Sequence, residues 1–290
     1  MATPPKILPV RPTKAPNLPI APVEFDQRWG DQFANVLRLY FSQLDNVSSA
    51  LLSGYGGSFL KFPSGAWHQD GYTTLAANIT NVSTTPIQVA STAGFLSAGA
   101  LMIGTELIAY TGKTSTTFTG ITRGAYGSTK AAHVAGVYVS EAQPVPSSTT
   151  ALTVSLTTTD IANGIDVDPT DLTKIVCEIA GYYNFQFSIQ LLTYDSTIDN
   201  VTLWFRQNGL DVSYSAGIIT VPSVHGGVAG ATIASWNLIL PLNVGDYVQL
   251  LMSSASGNTV AATYPPGTSP VCPASPSIIM TATFVSAITT

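Results

Sequence analysis

Charged side chains are what this chain has least of: they make up 9% of its 290 residues, against roughly 25% in an average soluble domain. Eleven basic and 16 acidic residues leave a net charge of −5, and no run of Lys or Arg occurs. Without a basic patch, the sequence predicts no nucleic-acid partner. A surface so poor in charge dissolves poorly by itself, so the composition favours an assembled protein. A weakly charged monomer is the alternative interpretation.

Long apolar runs and cysteines are also scarce. The chain has no uncharged apolar stretch of about 18 residues, which predicts no membrane insertion. The first residues, MATPPKILPVRPTKAPN, are broken by prolines and lack the apolar segment of a secretion signal. Cys177 and Cys272 are too few for a disulfide framework. One bridge and two reduced thiols both stay open.

The sequence contains none of the patterns on which common enzymes and metal sites depend. His68, His133 and His225 stand in no metal-ligand spacing. Neither a Gly-x-Ser-x-Gly elbow nor a Walker A loop occurs. The acidic residues are scattered, and no repeat builds the cleft in which a glycosidase pairs two carboxylates. We therefore expect no enzymatic activity, no cofactor and no bound metal.

Residues 1–53 are predicted to anchor the protein and to hold its copies together. Seven prolines between residues 1 and 22 predict an extended, polyproline-like arm; plain disorder is the alternative. The arm carries apolar side chains that suit a neighbouring protein surface, and with Trp29 they form the predicted particle anchor: Ile7, Leu8, Leu18 and Ile20.

Residues 23–53 form the one convincing predicted helix, ending before Gly54. Apolar residues spaced 4, 3, 4, 3, 4 give a heptad seam typical of helices packed around a symmetry axis. We interpret this seam as a trimer contact: Phe33, Leu37, Tyr40, Leu44, Val47 and Leu51. A single amphipathic helix packed on a β-domain explains the stripe almost as well.

The rest of the chain reads as short strands separated by turns. We predict a linker over 54–83, a small β-module over 84–141, a second linker over 142–149 and an antiparallel jelly-roll sandwich over 150–290. Gly104-Thr105 and Asn208-Gly209 indicate hairpin turns. The fold class is therefore mainly β, with an N-terminal arm and helix, a small β-module and a C-terminal jelly roll.

The stretch GYYNFQFSIQL, residues 181–191, alternates strictly between apolar and polar side chains. This period of two predicts a half-buried strand. The residues expected in the jelly-roll core are Tyr183, Phe185, Phe187, Ile189 and Leu191. The opposite face consists of Tyr, Asn, Gln and Ser and carries no charge at all.

Four stretches of residues 150–290, taken in order, resemble the C1q/TNF-like jelly-roll family: Gly181-Tyr182-Tyr183, Asn208-Gly209, Leu242 to Val248, and Ser277 to Val285. Membership of that family implies a homotrimer in which one sheet of each subunit faces the threefold axis. The uncharged face of the 181–191 strand suits such packing, because like charges would repel beside their own copies.

Two further stretches are similar to virion proteins of tailed bacteriophages. Residues 17–46 resemble an N-terminal segment of structural proteins in marine phages. Residues 104–139 resemble a small β-module of phage tail and fibre proteins, through Thr117–Gly124, His133 and Gly136. These resemblances imply a location in the virion and contact with other virion proteins of the capsid or tail.

Two sets of loop residues are candidates for ligand contact. Aromatic rings near loops are able to stack on a host-surface glycan, although ordinary packing is the alternative; they are Trp67, Tyr72, Tyr214 and Tyr264. Asp195, Asp199 and Asn200 offer oxygens of the kind that calcium takes, but we expect a loop with two solvated acids.

These observations predict a homotrimeric structural component of a tailed-phage virion, of fibre or head-decoration type, with no catalysis. The alternative is a tail fibre or spike component that binds a glycan receptor on the host surface. A free carbohydrate-binding module or a sugar-active enzyme is a third interpretation from another class.

Overall fold

The computed structural model describes residues 16–18, 20, 23–24, 26–52, 62–147, 149–268 and 270–288, without the side chains of 47–52. The chain divides into two compact units, Met1–Phe62 and Pro63–Thr290. The fold class predicted from the sequence is confirmed, since the chain is mainly β with one N-terminal helix and antiparallel sheets arranged as a sandwich.

The first unit contains the helix α1, Gln27–Leu52. Asp26 sets its beginning, because the Asp26 carboxylate accepts a hydrogen bond of 2.9 Å from the backbone N–H of Arg28. An Asp at this position satisfies an N–H that the first turn leaves without a partner. The helix therefore begins four residues later than the predicted 23–53.

The second unit begins with short strands, the first of which belongs to the sandwich while the others build most of the small β-module. They are β1 Ser64–Gln69, β2 Tyr72–Thr74, β3 Ile87–Gln88, β4 Gly99–Ile103, β5 Glu106–Tyr110, β6 Gly112–Lys113, β7 Thr117–Thr119 and β8 Tyr138–Pro144. The predicted hairpin at Gly104-Thr105 is confirmed, since Ile103 pairs with Glu106 across it.

The strands that follow include the long strands of the sandwich. They are β9 Leu152–Thr153, β10 Thr158–Asn163, β11 Ile165–Asp168, β12 Asp171–Cys177, β13 Gly181–Thr193, β14 Asp199–Gln207, β15 Leu210–Asp211, β16 Gly217–Val221, β17 Gly230–Leu242, β18 Tyr247–Ser254, β19 Thr259–Ala262, β20 Gly267–Thr268, β21 Val271–Cys272 and β22 Ile278–Ser286. Asn208 and Gly209 both have positive φ, as a two-residue type I′ turn requires.

Two sheets pack face to face. In the first, which we call the front sheet, the order is β10-β1-β22-β13-β17. In the second, the back sheet, the order is β11-β12-β18-β14-β16. From β13 the chain passes to β14 and β16 in the back sheet, to β17 in front, to β18 behind and to β22 in front. Repeated crossing between two antiparallel sheets is the path of a jelly roll.

The inner faces of the two sheets form the main core. The alternate residues of β13 that the sequence places inside, from Tyr183 to Leu191, are all buried. Phe187 lies between two aromatic rings, with its centroid 5.7 Å from that of Phe205 on the back sheet and 4.6 Å from that of Trp236. Such edge-on pairs add to the stabilisation that burial alone gives.

The small β-module has its own core and is joined to the front sheet. Phe118 is completely buried, with ring centroids 5.0 Å from Phe95 and 4.8 Å from Tyr110. The end of β13 pairs with β19, which pairs with β8, and β8 pairs with β4. The front sheet thus continues from the sandwich into the module without a break.

Parts of both predicted linkers are strands. Residues 64–69, SGAWHQ, form β1 in the middle of the front sheet, and 72–74 form β2. Trp67 is completely buried, and its ring lies so close to Gly65 that a Cβ there would be 2.1 Å from it. Of the second linker, residues 142–144 belong to β8. The remainder of 54–83 includes residues 54–61, which lie outside the described residues.

Candidate functional site

The outer face of the front sheet is the most unusual surface of the second unit. Four adjacent strands of this sheet, β1, β22, β13 and β17, contain no Asp, Glu, Lys or Arg. They are adjacent in space although β1 and β22 are about 200 residues apart in sequence. Because both faces of these strands lack charge, the outer one exposes only neutral polar and apolar groups. We call it the charge-free face.

The register of the strands arranges this face in rows. Asn184, Gln186 and Ser188 of β13 form the central column, and Asn237 donates a hydrogen bond of 2.9 Å to Asn184. The cross-strand neighbours are Ile239, Asn237 and Ser235 on β17, and Thr283, Thr281 and Ile279 on β22. The polar side of β13, which the sequence predicted, is therefore one column of a wider neutral surface.

Isoleucine side chains interrupt the polar groups at both ends of the rows. Ile233, Ile239 and Ile279 are 62%, 53% and 45% exposed, and Ile161 on the neighbouring strand β10 is 52% exposed. Scattered apolar residues are ordinary on protein surfaces, but several on one face without charge are typical of a surface that another protein covers. The mixture of amide, hydroxyl and aliphatic groups matches the core of an interface better than a solvated face.

The back sheet shows the opposite pattern. Lys174 of β12 lies 3.1 Å from Asp171, and Arg206 of β14 lies 2.8 Å from Asp211. Both pairs are solvent-accessible. The two outer faces of one sandwich therefore differ in charge, and only the back face has the ionic character of a surface left in water.

A charged cluster marks one edge of the charge-free face. His68 lies on β1, where the sequence suggested a loop, and it is the cross-strand neighbour of Ile279 on β22. Its Nδ1 is 2.8 Å from an oxygen of Asp160 on β10, and its Nε2 is 3.3 Å from Asp70. The cluster thus places the nearest acidic groups at the rim rather than the centre.

The helix seam is described for four of its six residues. Phe33, Leu37, Tyr40 and Leu44 are each partly buried, and Phe33 stacks on Trp29 with ring centroids 5.2 Å apart. The side chains of Val47 and Leu51 lie outside the described residues. A role of the seam in trimerisation stays a prediction.

The predicted particle anchor is described only in part. Leu18 and Ile20 are exposed, and Trp29 is partly buried. Ile7 and Leu8 lie outside the described residues. The anchoring role of these residues also stays a prediction.

The aromatic candidates for glycan contact fall in very different places. The prediction that Trp67 contacts a glycan is wrong, because the side chain is completely buried and donates a hydrogen bond of 2.9 Å to Asp166. Tyr72 packs edge-on against Tyr138 with ring centroids 6.1 Å apart. Tyr214 is fully exposed in a turn, with a φ of 64°. Tyr264 is half-buried and lines a pocket.

Arg123 and His133 of the small β-module meet on a carboxylate that the sequence analysis missed. Glu106 is completely buried and accepts hydrogen bonds from Arg123 at 2.6 and 2.7 Å, while His133 Nε2 lies 2.8 Å away. Burial alone would raise the pKa of Glu106, but these partners lower it. The sequence signal that could have indicated this cluster is the single acidic residue, Glu106, inside the otherwise uncharged hairpin LMIGTELIAY. The cluster holds the module together through these contacts.

The acidic loop that resembled a calcium site is used internally. Asp199 accepts hydrogen bonds of 2.6 Å from Thr259 and 3.1 Å from the N–H of Ser256. Asp195 accepts one of 2.6 Å from Asn258. Asp199 is buried rather than solvated as expected. Among the described residues, no group of three or more His, Cys, Asp or Glu side chains is arranged to hold a metal ion.

Cys177 and Cys272 are both free thiols, the first buried and the second exposed. Of the two alternatives left open by the sequence, the reduced pair is therefore the one observed.

Comparisons with known proteins add no family to this geometry. No protein-family model matches the chain, and no curated protein sequence matches it either. Within the described ranges, no helix is long and apolar enough to cross a membrane.

Proposed function

We propose that this protein is a non-enzymatic structural subunit that assembles as a homotrimer through its charge-free face, in the virion of a tailed phage. The observation that carries the proposal is the difference between the two outer faces of the sandwich. The front face has no Asp, Glu, Lys or Arg on four adjacent strands, and the back face has exposed ion pairs.

Covering this face releases free energy without the cost of burying charge. Each of its three exposed isoleucines, Ile233, Ile239 and Ile279, is about half accessible, so its burial contributes about 1 kcal/mol. The amide and hydroxyl groups are able to donate to or accept from the same groups of another copy, whereas a charge would meet its like. A ring of three copies gives every subunit the same contacts and leaves no edge open.

The test is the mass of the protein in solution, measured by light scattering after size-exclusion chromatography. The wild type is expected at three times its chain mass of 30.3 kDa. Ile239→Asp is expected to give monomers, because a carboxylate buried in the interface has no partner there. A monomeric wild type, or a trimer that survives Ile239→Asp, would refute the proposal.

Ile218→Asp is the matched control. Ile218 is also an exposed isoleucine in a strand, but it belongs to β16 of the back sheet. The same substitution there is expected to leave the trimer intact. Dissociation by both variants would show that a carboxylate destabilises the fold in general and that the charge-free face has no special role.

The place in the virion rests on the resemblance of residues 17–46 and 104–139 to phage proteins, with the arm and Trp29 as the anchor. Deletion of residues 1–22 is expected to leave a folded trimer that no longer joins the particle. The two forms of the proposal differ in copy number: a number near that of the major capsid protein indicates a head decoration, and a few trimers per particle indicate a tail fibre.

The second candidate function, attachment to a host-surface glycan, is favoured by one specific observation. Tyr264 lies in a pocket together with two other tyrosines, Tyr138 and Tyr194. A few copies per particle together with glycan binding would favour this candidate over a decoration role.

A further inference from the structure

A concave pocket of about 440 Å³ lies where the small β-module meets the sandwich. It is lined by β8, by the turn of the β4–β5 hairpin, and by the loops that follow β13 and β19. Its volume is within the range of small-molecule sites, roughly 300–1,000 Å³. All these elements belong to the compact unit 63–290, so one copy of the chain supplies the whole pocket.

Three tyrosines from three different elements form the walls. Tyr138 is on β8, Tyr194 follows β13, and Tyr264 follows β19. Tyr194 donates a hydrogen bond of 3.3 Å to the backbone oxygen of Gly104 in the hairpin turn. Tyr264 is held by paired backbone hydrogen bonds with Ser275, at 2.8 and 2.9 Å. The Tyr194 ring and the main chain that presents Tyr264 are therefore held before any ligand arrives, which limits the entropy lost on binding.

One polar group in the pocket lacks a partner. Ser140 lies two residues beyond Tyr138 on the same side of β8, and its side chain also lines the pocket. The Ser140 hydroxyl is buried, and no described residue accepts or donates a hydrogen bond to it. Nearly all buried hydroxyls in proteins are paired, so an unpaired one beside a cavity points to a group that arrives from outside.

The chemistry of the lining defines the ligand. None of the described residues that line the pocket is charged, so an anionic ligand such as a phosphate or sialic acid would lose its hydration without a counter-charge. Tyrosine rings offer flat apolar surfaces with polar edges. A pyranose has the complementary shape, with C–H groups on its faces and hydroxyls around its rim.

We propose that this pocket binds a neutral sugar ring, which stacks on the tyrosines and exchanges a hydrogen bond with the Ser140 hydroxyl. The proposal does not depend on the trimer, because a monomer retains all the lining residues. Its failure and that of the proposed homotrimer are therefore separate results, one seen in ligand titrations and the other in mass.

Saturation-transfer NMR on the full chain tests the proposal with the methyl glycosides of glucose, galactose, mannose and N-acetylglucosamine, and with N-acetylneuraminic acid as the anionic comparison. At least one neutral glycoside is expected to bind with a Kd below about 10 mM, with the strongest transfer on its ring C–H groups. Absence of binding by all four, or binding of the acid alone, would overturn the proposal.

Three variants locate the binding. Tyr138→Ala and Tyr264→Ala are each expected to weaken it roughly tenfold by removing a stacking ring. Ser140→Ala is expected to weaken it about fivefold, the factor for one net hydrogen bond. Because Ser140→Ala removes an unpaired buried hydroxyl, it is also expected to leave the denaturation midpoint unchanged or higher. A residue with a purely structural role would not combine these two effects.

Tyr214→Ala is the matched control, since Tyr214 is exposed and does not line the pocket. Its binding is expected to equal that of the wild type. Loss of binding in Tyr214→Ala with retention in Tyr264→Ala would place the sugar elsewhere and refute this site. A proline-rich peptide that binds the pocket while every neutral glycoside fails would also refute the assignment to sugar.

Discussion

Replacing Glu141 by Gln is expected to change how the stability of the 63–290 unit depends on pH. Glu141 lies on β8, where the module joins the front sheet, and its side chain is completely buried. It accepts hydrogen bonds of 2.7 Å from Gln69 Nε2, 2.7 Å from the N–H of Leu96 and 3.3 Å from Tyr110.

Burial dominates the ionisation of this carboxyl. It raises the pKa of Glu141 to about 8, although the donors from Leu96, Tyr110 and Gln69 and the charge of Lys113 lower it. In the unfolded chain the same group has an ordinary pKa near 4.3. Between these two values the folded state binds more protons than the unfolded state, so the free energy of unfolding falls as pH rises.

The size of the effect follows from the two pKa values. One unit corresponds to 1.36 kcal/mol, so the full window gives an upper limit of about 5 kcal/mol. This contribution is largest below the unfolded pKa and is lost as pH rises to about 8. Glu141→Gln also loses a hydrogen-bond acceptor, but that cost of about 1–3 kcal/mol does not vary with pH.

The assay is chemical denaturation of wild type and Glu141→Gln at several pH values from 5 to 8.5. The free energy of unfolding of the variant, relative to wild type, is expected to increase with pH by a few kcal/mol. A constant difference across this range would refute the reasoning, because it would mean that Glu141 ionises alike in both states. A difference of opposite slope would show that the hydrogen-bond donors outweigh burial.

Three further substitutions test the fold and the helix. Glu106→Gln is expected to destabilise by about 3–5 kcal/mol, because Arg123 remains buried without its partner; in wild type, the lowered pKa of Glu106 predicts that this stabilisation is lost only as pH falls into the acid range. Gly65→Ala is expected to cost about 1–3 kcal/mol in thermal denaturation, since the new methyl group meets the Trp67 ring. Leu37→Asp is expected to dissociate the trimer and so to lower the mass measured in solution; an unchanged mass would show that the helix seam is not a contact between subunits.

The sequence was most informative where one strand carries its own signal. The strict alternation over residues 181–191 predicted the existence of β13 and its buried side, because a period of two is a local property. Hairpins were equally readable, since Gly104 and Asn208-Gly209 supply the positive φ that tight turns need.

β1 was missed because its signal is not local. SGAWHQ contains one large apolar residue among small and polar ones, and Trp67 is buried by partners far along the chain. Its indole donates to Asp166, 99 residues away, and β1 pairs with β10 and β22. No window of the sequence contains these neighbours, so Trp67 read as a loop aromatic.

The candidate sites show the same limit. The strand ATIASWNLIL is apolar on both sides, so its pattern alone does not tell that Ile233 and Ile239 face outward while Ala234 is buried. The register against β13 decides this. Tyr264 was a candidate from its position in a loop, but nothing in the sequence brings Tyr138 and Tyr194 to its side.

The placement of charge distinguishes an assembled protein from a weakly charged monomer. A monomer with few charges gains most by spreading them over its surface, since each one improves solubility. Here four adjacent strands of the front sheet have none, while the carboxylates of Glu106 and Asp199 are buried with partners from the same chain. Burying a carboxylate costs more than exposing it, so a shortage of charge alone does not account for this distribution. A front face that is covered by other copies of the chain does account for this distribution. Ile239→Asp is then expected to reduce the mass of the protein in solution from that of a trimer to that of a monomer, while the denaturation midpoint, which reports on the fold, changes little.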